Sequence, residues 1–183
     1  MPLTQLDPKT ALVVLDLQKG IAGYPTVHPA ADVIANAASL AKAFRRTSRP
    51  VALVNVAGSA PGRAEISRAG VALSPDFATL VPELDAQPTD ILVTKIGWGA
   101  FATTNLDLRL RRLGVTQLAL TGISTSSAVE STARTAHELG YHVVLVTDAM
   151  TDMVREAHEN SIERVFPRLG ERTTTAELLA ALG

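Results

Sequence analysis

Five short stretches of nearly continuous apolar residues recur along the chain, separated by longer segments of mixed polarity. Runs of this length without polar alternation are typical of strands that are buried on both faces of a parallel sheet. We therefore predict five strands, at residues 11–16, 51–56, 91–94, 117–120 and 143–146.

The segments between and after these runs show helical periodicity, with apolar residues returning every three or four positions. The predicted helices span residues 29–47, 105–113, 127–139, 154–166 and 175–182. Strands that alternate with helices predict an α/β fold, with a doubly wound, mainly parallel sheet flanked by helices on both faces. We expect a single domain over residues 1–183.

One stretch, residues 57–88, follows neither pattern. It contains four prolines, which interrupt both helices and strands. We expect this irregular segment to cover part of a pocket or an interface.

Composition narrows the class of protein. The chain of 183 residues has a net charge of −1 and no basic cluster larger than a pair, so it lacks the electrostatic footprint of a nucleic-acid-binding protein. No apolar run reaches the roughly 18 residues of a membrane span, and the first residues do not resemble a signal peptide. We expect a cytoplasmic protein with no membrane partner.

Metal and thiol chemistry have little support in the sequence. The chain has no cysteine, which excludes disulfides and thiolate ligands, and its four histidines show no metal-ligand spacing. We therefore expect neither a metal nor a cofactor.

Asp16 is the first candidate for chemistry because it ends the first predicted strand. Ligands of open α/β sheets bind at the carboxyl ends of strands, and partial burial there can raise the pKa of a carboxyl group enough for acid catalysis. An aspartate that simply starts a loop is the alternative, and position alone gives it about equal weight.

A second group of candidates follows the strand at residues 91–94. Lys95 comes directly after that strand, where a solvated surface charge is the usual explanation. Trp98 and Phe101 are notable because aromatic residues make up only 4% of the chain. Packing in the core and lining of a substrate pocket are about equally weighted for these two.

The run Thr-Gly-Ile-Ser-Thr-Ser-Ser-Ala-Val-Glu-Ser-Thr-Ala-Arg at residues 121–134 resembles the signature of the isochorismatase-like hydrolases, also called cysteine hydrolases. Asp-Leu-Gln-Lys-Gly at residues 16–20 resembles the first motif of that family. Lys95 with the later Ala100-Phe101 pair resembles its second motif. Amidase members carry a nucleophilic cysteine where this chain has Ala128, and a methyl group cannot attack a carbonyl.

The resemblance implies roles for individual residues. Asp16 would be the general acid or base, and Lys95 would contact both Asp16 and the reacting group. A cis peptide bond is implied between Ile123 and Ser124, and the N–H groups of Ser124 and Ala128 would form an oxyanion hole. The remaining candidate substrate-binding residues are Gln18, Trp98, Phe101, Ile123, Thr125 and Ser127.

Two serines in the motif are poor substitutes for the missing nucleophile. Ser126 and Ser127 are offset from position 128 by two and one residues, and each residue turns a helix by about 100°. Their side chains would therefore point elsewhere.

Three functions remain open from the sequence. The first is hydrolysis of a small molecule without a cysteine, such as vinyl-ether cleavage of the isochorismate type with Asp16 as the acid. The second is a non-catalytic protein that binds a small molecule. The third is an amidase whose nucleophile was replaced by alanine. Relatives commonly assemble, so we expect a homodimer or homotetramer.

Overall fold

Six parallel strands form one sheet in the computed structural model, which describes residues 3–66 and 72–183. The order across the sheet is β3-β2-β1-β4-β5-β6. The strands are β1 (Thr10–Leu15), β2 (Val51–Val56), β3 (Ile91–Lys95), β4 (Gln117–Ile123), β5 (His142–Thr151) and β6 (Glu171–Thr173). All five neighbouring pairs are parallel.

Helices cover both faces of the sheet. They are α1 (Lys19–Ala22), α2 (Ala30–Arg46), α3 (Leu106–Arg112), α4 (Glu130–Glu138), α5 (Arg155–Asn160) and α6 (Thr175–Leu182). Because alternate side chains of a strand point to opposite faces, the core has two layers. One layer packs against α3 and α4, and the other packs against α2 and α6. The predicted doubly wound α/β fold is confirmed.

Several boundaries differ from the sequence prediction. The strand β6 was not predicted because it is only three residues long and two of them are charged. The strand β5 continues past residue 146 to Thr151 through an irregularity in its pairing with β4. The helix predicted at 154–166 is divided, since α5 is followed by a wider π turn (Ser161–Val165) and a 3-10 turn (Phe166–Arg168).

The irregular segment predicted at 57–88 includes residues 67–71, which lie outside the described residues. Its described part contains a short 3-10 helix, Pro82–Leu84, and an antiparallel bridge between Leu80 and Gln18. This bridge places the end of the segment beside the chain that follows β1. No helix in the two described stretches is long and apolar enough to cross a membrane.

The central strands β1 and β4 approach closely where they end. Leu15 pairs with Gly122, whose φ is +130°. A Cβ atom at position 122 would lie 2.0 Å from the Leu15 carbonyl oxygen, so only glycine fits without moving a strand. Asp16, the first residue after β1, therefore lies beside Ile123, the last residue of β4.

Candidate active site

Asp16 is the first residue after β1 and turns the chain away from the sheet. Its φ is +55°, in the left-handed region that residues other than glycine seldom adopt. Its N–H donates to the Val54 carbonyl at 2.8 Å, and its own carbonyl accepts from the Gln18 N–H at 2.9 Å. These backbone bonds hold the Asp16 side chain at the carboxyl edge of the sheet, and the residue is only 3% exposed.

A buried lysine pairs with this carboxylate. The Lys95 Nζ lies 2.7 Å from Asp16 Oδ2 and donates a second hydrogen bond to the Gly97 carbonyl at 2.9 Å. Lys95 ends β3, and β2 lies between β3 and β1. The lysine side chain therefore spans the width of one strand, and at 2% exposed it is no surface charge.

The two oxygens of the Asp16 carboxylate have different surroundings. Oδ2 receives the Lys95 ammonium group, whereas Oδ1 is buried without a hydrogen-bond partner in residues 3–66 and 72–183. A buried acceptor without a partner costs free energy. A proton on Oδ1, or a donor group on a ligand, would remove that cost.

Burial decides the ionisation of this group. It raises the pKa of Asp16 from 3.8 to about 6, against the opposing charge and hydrogen bond of Lys95. The sequence alone left open whether desolvation or the lysine would prevail, and desolvation does. A carboxyl group with such a pKa can carry a proton close to neutral pH.

The chain that follows β4 forms a wider π turn (Thr125–Val129) before α4 begins. We refer to residues 124–128 as the 124–128 turn. The peptide bond between Ile123 and Ser124 is cis. Ala128 is buried in the core layer that packs against α3 and α4, next to Val129. The turn thus leaves the carboxyl end of β4, the strand beside the one that carries Asp16.

Thr132 connects the 124–128 turn to residues 97–101, the segment after β3 that contains Trp98 and Phe101. Its hydroxyl donates to the Ala128 carbonyl at 2.7 Å and accepts from the Ala100 N–H at 3.1 Å. Sequence reasoning missed this residue, although it lies inside the 121–134 motif. A threonine in a helix that can bond to the carbonyl four residues earlier was the available signal.

The two aromatic candidates have different environments. Trp98 is 70% exposed and could contact a ligand. Phe101 is buried and stacks on Tyr141, with ring centroids 6.1 Å apart. The structure therefore places Phe101 in the core packing, while Trp98 stays available at the edge of the site.

Some of the other predicted substrate-binding residues are buried or use their polar atoms in hydrogen bonds within the fold. Gln18 is buried, and its side-chain amide exchanges two hydrogen bonds with the Val56 backbone and donates a third to Phe77. Ile123 is fully buried, whereas Ser124 and Ser127 are half-buried. Of this group, the two serines are the more accessible to a ligand.

Three further polar residues that sequence reasoning missed lie at this edge of the sheet. Asn55, near the end of β2, donates to the Ala78 carbonyl at 2.6 Å, and its buried Oδ1 has no partner within the described residues. Asp152 and His158 follow β5 and contact the 124–128 turn. No local signal marks them, because they meet the turn only after the sheet has formed.

A depression of about 570 Å³ lies at the opposite edge of the sheet. It is lined by residues at the starts of β4 and β5 and by the segment before β6. None of the residues predicted for the site lies there. The clustering of polar groups, rather than the size of a cavity, marks the candidate site.

Comparison with known proteins identifies the family. The sequence model of one protein family, the isochorismatase domain, matches residues 10–177 of this chain. The isochorismatase family protein YwoC of Bacillus subtilis (strain 168) is 43% identical over 178 residues, which covers 93% of each chain. The protein YecD of Escherichia coli O157:H7, of the same family, is 42% identical over 192 residues, or 98% of this chain and 100% of that one.

A solved structure and a named enzyme extend the comparison. An isochorismatase family protein from Burkholderia thailandensis has a TM-score of 0.92 and 41% identity, with 97% of both chains covered. The ureidoacrylate amidohydrolase RutB of Pseudomonas syringae pv. syringae (strain B728a) is 32% identical over 179 residues, covering 81% of this chain and 73% of that protein. The chain belongs to the isochorismatase family of hydrolases.

Proposed function

We propose that this protein hydrolyses a small molecule without a cysteine nucleophile, and that Asp16 is the general acid. The buried Asp16 carboxyl carries the proposal, because its pKa of about 6 and the free Oδ1 atom suit a group that holds and releases a proton. Ala128 supplies no nucleophile, so the proposed reaction proceeds without a covalent intermediate.

Vinyl-ether cleavage is the reaction that best fits this set of groups. Asp16 Oδ1 donates its proton to the terminal carbon of the vinyl ether, which leaves an oxocarbenium ion. Water adds to that ion, and the resulting hemiketal separates into a ketone and an alcohol. The proton from the added water restores the acid, so atoms and charges balance over the cycle.

Lys95 has a role on each side of the proton transfer. After Asp16 loses its proton, the carboxylate is buried and charged, and the ammonium group 2.7 Å away stabilises it. Without the lysine, desolvation would hold the proton too firmly. The pair therefore balances the acidity of Asp16 between binding the proton and releasing it.

The 124–128 turn supplies backbone N–H groups to the same site. The first N–H groups of a helix have no acceptor within that helix, so those at the start of this turn are suited to bind an oxygen of the substrate. Ser124 and Ala128 are the proposed donors. Both are main-chain groups, so they do not depend on the side chain at position 128.

Amide hydrolysis is the second candidate, and the similarity to RutB favours it. RutB is a ureidoacrylate amidohydrolase. In this chain an amidase would need a nucleophile that Ala128 lacks. A protein that binds a small molecule without turnover is the remaining alternative.

The test begins with pyruvate release from isochorismate by the purified protein, alongside Asp16→Asn. Asp32→Asn is the matched control, because Asp32 is exposed on α2 and takes no part in the hydrogen bonds and ion pair described for Asp16 and Lys95. Turnover that survives Asp32→Asn and disappears with Asp16→Asn supports acid catalysis. Turnover that survives Asp16→Asn would reject Asp16 as the acid.

A second arm separates the other two functions. The Ala128→Cys variant is assayed against a panel of amides and ureides, including ureidoacrylate. Gain of amide hydrolysis would favour the amidase explanation. Ligand binding by calorimetry without turnover by either form would favour the binding protein.

A further inference from the structure

The 124–128 turn is held by two residues that the proposed reaction does not use. The Thr125 hydroxyl lies 2.9 Å from His158 Nδ1, and the Ser126 N–H donates to Asp152 Oδ2 at 2.7 Å. Asp152 directly follows β5, and His158 lies in α5. One stretch of chain therefore contacts two consecutive residues of the turn.

Asp152 is itself fixed by its own neighbours. Its Oδ1 accepts from the N–H groups of Met153 and Val154, at 2.8 and 3.3 Å. Its backbone carbonyl accepts from the Val27 N–H at 2.8 Å. The carboxylate is thus a rigid support for the Ser126 N–H.

His158 is buried between the turn and a second histidine. Its residue is 6% exposed, and the ring of His28 meets it edge-on, with centroids 5.1 Å apart and an interplanar angle of 73°. The His28 backbone is held in turn by Thr151, whose hydroxyl accepts from the His28 N–H at 2.9 Å. The orientation of the His158 ring is therefore fixed on both sides, with Nδ1 at the Thr125 hydroxyl.

We propose that His158 is a positioning residue, which sets the orientation of the 124–128 turn by holding the Thr125 hydroxyl through Nδ1. The significance of the turn for catalysis rests on the proposed function. The contact between His158 and Thr125 does not rest on that function, so the positioning role and the proposed function can be refuted separately.

The electrostatic surroundings of His158 favour the neutral form of its imidazole. Burial, together with the neighbouring His28, lowers the pKa of His158, and Arg155 adds to this effect. The nearby carboxylates of Asp152 and Glu159 oppose it. A neutral ring can accept the Thr125 hydroxyl proton at Nδ1, whereas a protonated ring can only donate there. When Nδ1 of the neutral ring is the acceptor, protonation reverses this hydrogen bond, because Nδ1 becomes the donor and the Thr125 hydroxyl becomes the acceptor. The new positive charge and the reversed bond change the surroundings of the backbone amides in the turn.

The primary test is a pH titration of the full chain, followed through the backbone amide signals of residues 124–128 in nitrogen-15 NMR spectra. In the unmodified protein we expect these signals to move together, with an inflection below the ordinary histidine value of about 6.5 that persists in Asp16→Asn and is thereby distinguished from the titration of Asp16. His28→Asn removes the neighbouring imidazole that lowers the pKa of His158 and should move the inflection to higher pH. His142→Asn, at an exposed histidine, should leave it unchanged.

Two pairs of variants separate positioning from general stability. Thr125→Val removes the hydroxyl at nearly constant volume, and Thr125→Ser retains it. His158→Leu removes the polar atom, and His158→Asn keeps one near the place of Nδ1 but cannot titrate. We expect Thr125→Val and His158→Leu to shift the same amide signals, Thr125→Ser to leave them in place, and His158→Asn to abolish only the inflection.

The proposal is overturned if the amide signals of the turn titrate unchanged in His158→Asn, or if His158→Leu leaves them where they are. A variant that fails to fold is replaced by its conservative partner, which still tests the inflection. With any substrate that turns over, His158→Leu should lower kcat about tenfold with KM nearly constant, because positioning acts in the transition state. If no substrate turns over while the signals behave as expected, the proposed function fails and the positioning role stands.

Discussion

Two ion pairs in this protein, one buried and one partly buried, show how similar partners can serve opposite purposes. Asp90 and Arg45 join the turn before β3 to the end of α2, and both oxygens of Asp90 are engaged. Oδ1 accepts from Arg45 Nε at 3.1 Å, and Oδ2 accepts from Arg45 Nη2 at 2.7 Å and from the Gln87 N–H at 2.8 Å. Asp16, by contrast, has one oxygen on Lys95 and one with no partner in the described chain.

The difference lies in the geometry of the cation. The guanidinium group of an arginine presents parallel donors that satisfy both carboxylate oxygens, whereas the ammonium group of a lysine acts as a compact point charge. A carboxylate whose two oxygens both have hydrogen-bond partners, like that of Asp90, is suited to holding two elements together. The Asp16 carboxylate has one oxygen without a partner and so retains a place for a proton, which makes the Asp16 pair the candidate for chemistry.

The strongest test of this contrast compares the activities of Asp16→Asn and Asp90→Asn. Removing a general acid costs about 10²–10⁴-fold in rate, so Asp16→Asn should lower kcat/KM by that amount. Asp90→Asn should leave kcat/KM of the folded protein within about twofold, while weakening its stability. Equal losses of activity in both variants would remove the distinction between the pairs.

Stability should depend on pH through Asp16. The folded chain keeps the Asp16 proton up to about pH 6, whereas the unfolded chain releases it near pH 3.8. Between these values the folded state binds more protons, so the free energy of unfolding falls as pH rises, by about 3 kcal/mol in total.

This stability difference is measured by urea denaturation of the unmodified protein and Asp16→Asn at several pH values from 4 to 7. The gap between the two curves should change up to about pH 6 and become constant between there and pH 7. A gap that stays constant throughout would mean that the pKa of Asp16 is not raised.

Replacing the lysine should move the pH dependence of activity. In the unmodified protein, kcat/KM should decline as pH rises above about 6, because the acid must be protonated. Lys95→Met removes the charge and the hydrogen bond that lower the pKa of Asp16, so the decline should move to higher pH. An unshifted profile, in a variant whose circular dichroism spectrum is unchanged, would assign the titration to another group.

The smallest expected effect concerns the ion pair between Arg45 and Asp90. Arg45→Lys retains the positive charge but loses the paired geometry on Asp90 and the hydrogen bond to the Leu84 carbonyl. We expect a loss of about 1 kcal/mol in the free energy of unfolding, with activity unchanged. A thermal denaturation series with the exposed control Arg112→Lys measures it, and no loss relative to that control would contradict the geometric explanation.

The sequence predicted what depends on local pattern. The apolar runs at β1, β2, β4 and β5 mark strands that are largely buried on both faces, and such a strand leaves that mark without help from the rest of the chain. The run at β3 also gave a strand, but the expectation of two buried faces was wrong there, because β3 lies at the edge of the sheet and buries one face only. The strand β6 leaves no such mark, since it is short and pairs at the edge of the sheet. Its existence depends on β5 being already in place.

The same distinction applies to the site. Asp16, Lys95 and the 124–128 turn were found because each lies at the end of a predicted strand or soon after it, and in a recognisable motif. The contact between Asp16 and Lys95 depends on the order of three strands, which the periodicity does not give. Asp152 and His158 belong to no motif, and only the folded chain brings them to the turn.

Gly122 sets a limit on how this site can be redesigned. Because any side chain there would meet the Leu15 carbonyl, the spacing between the strand that carries Asp16 and the strand that carries the turn is not adjustable at that position. In a library of random substitutions that is selected for folding alone, position 122 should return glycine only, whereas the exposed Trp98 should tolerate many residues. Substitutions that adapt the site to new substrates would therefore have to lie at its rim, because the distance between β1 and β4 at Gly122 is fixed by backbone contact.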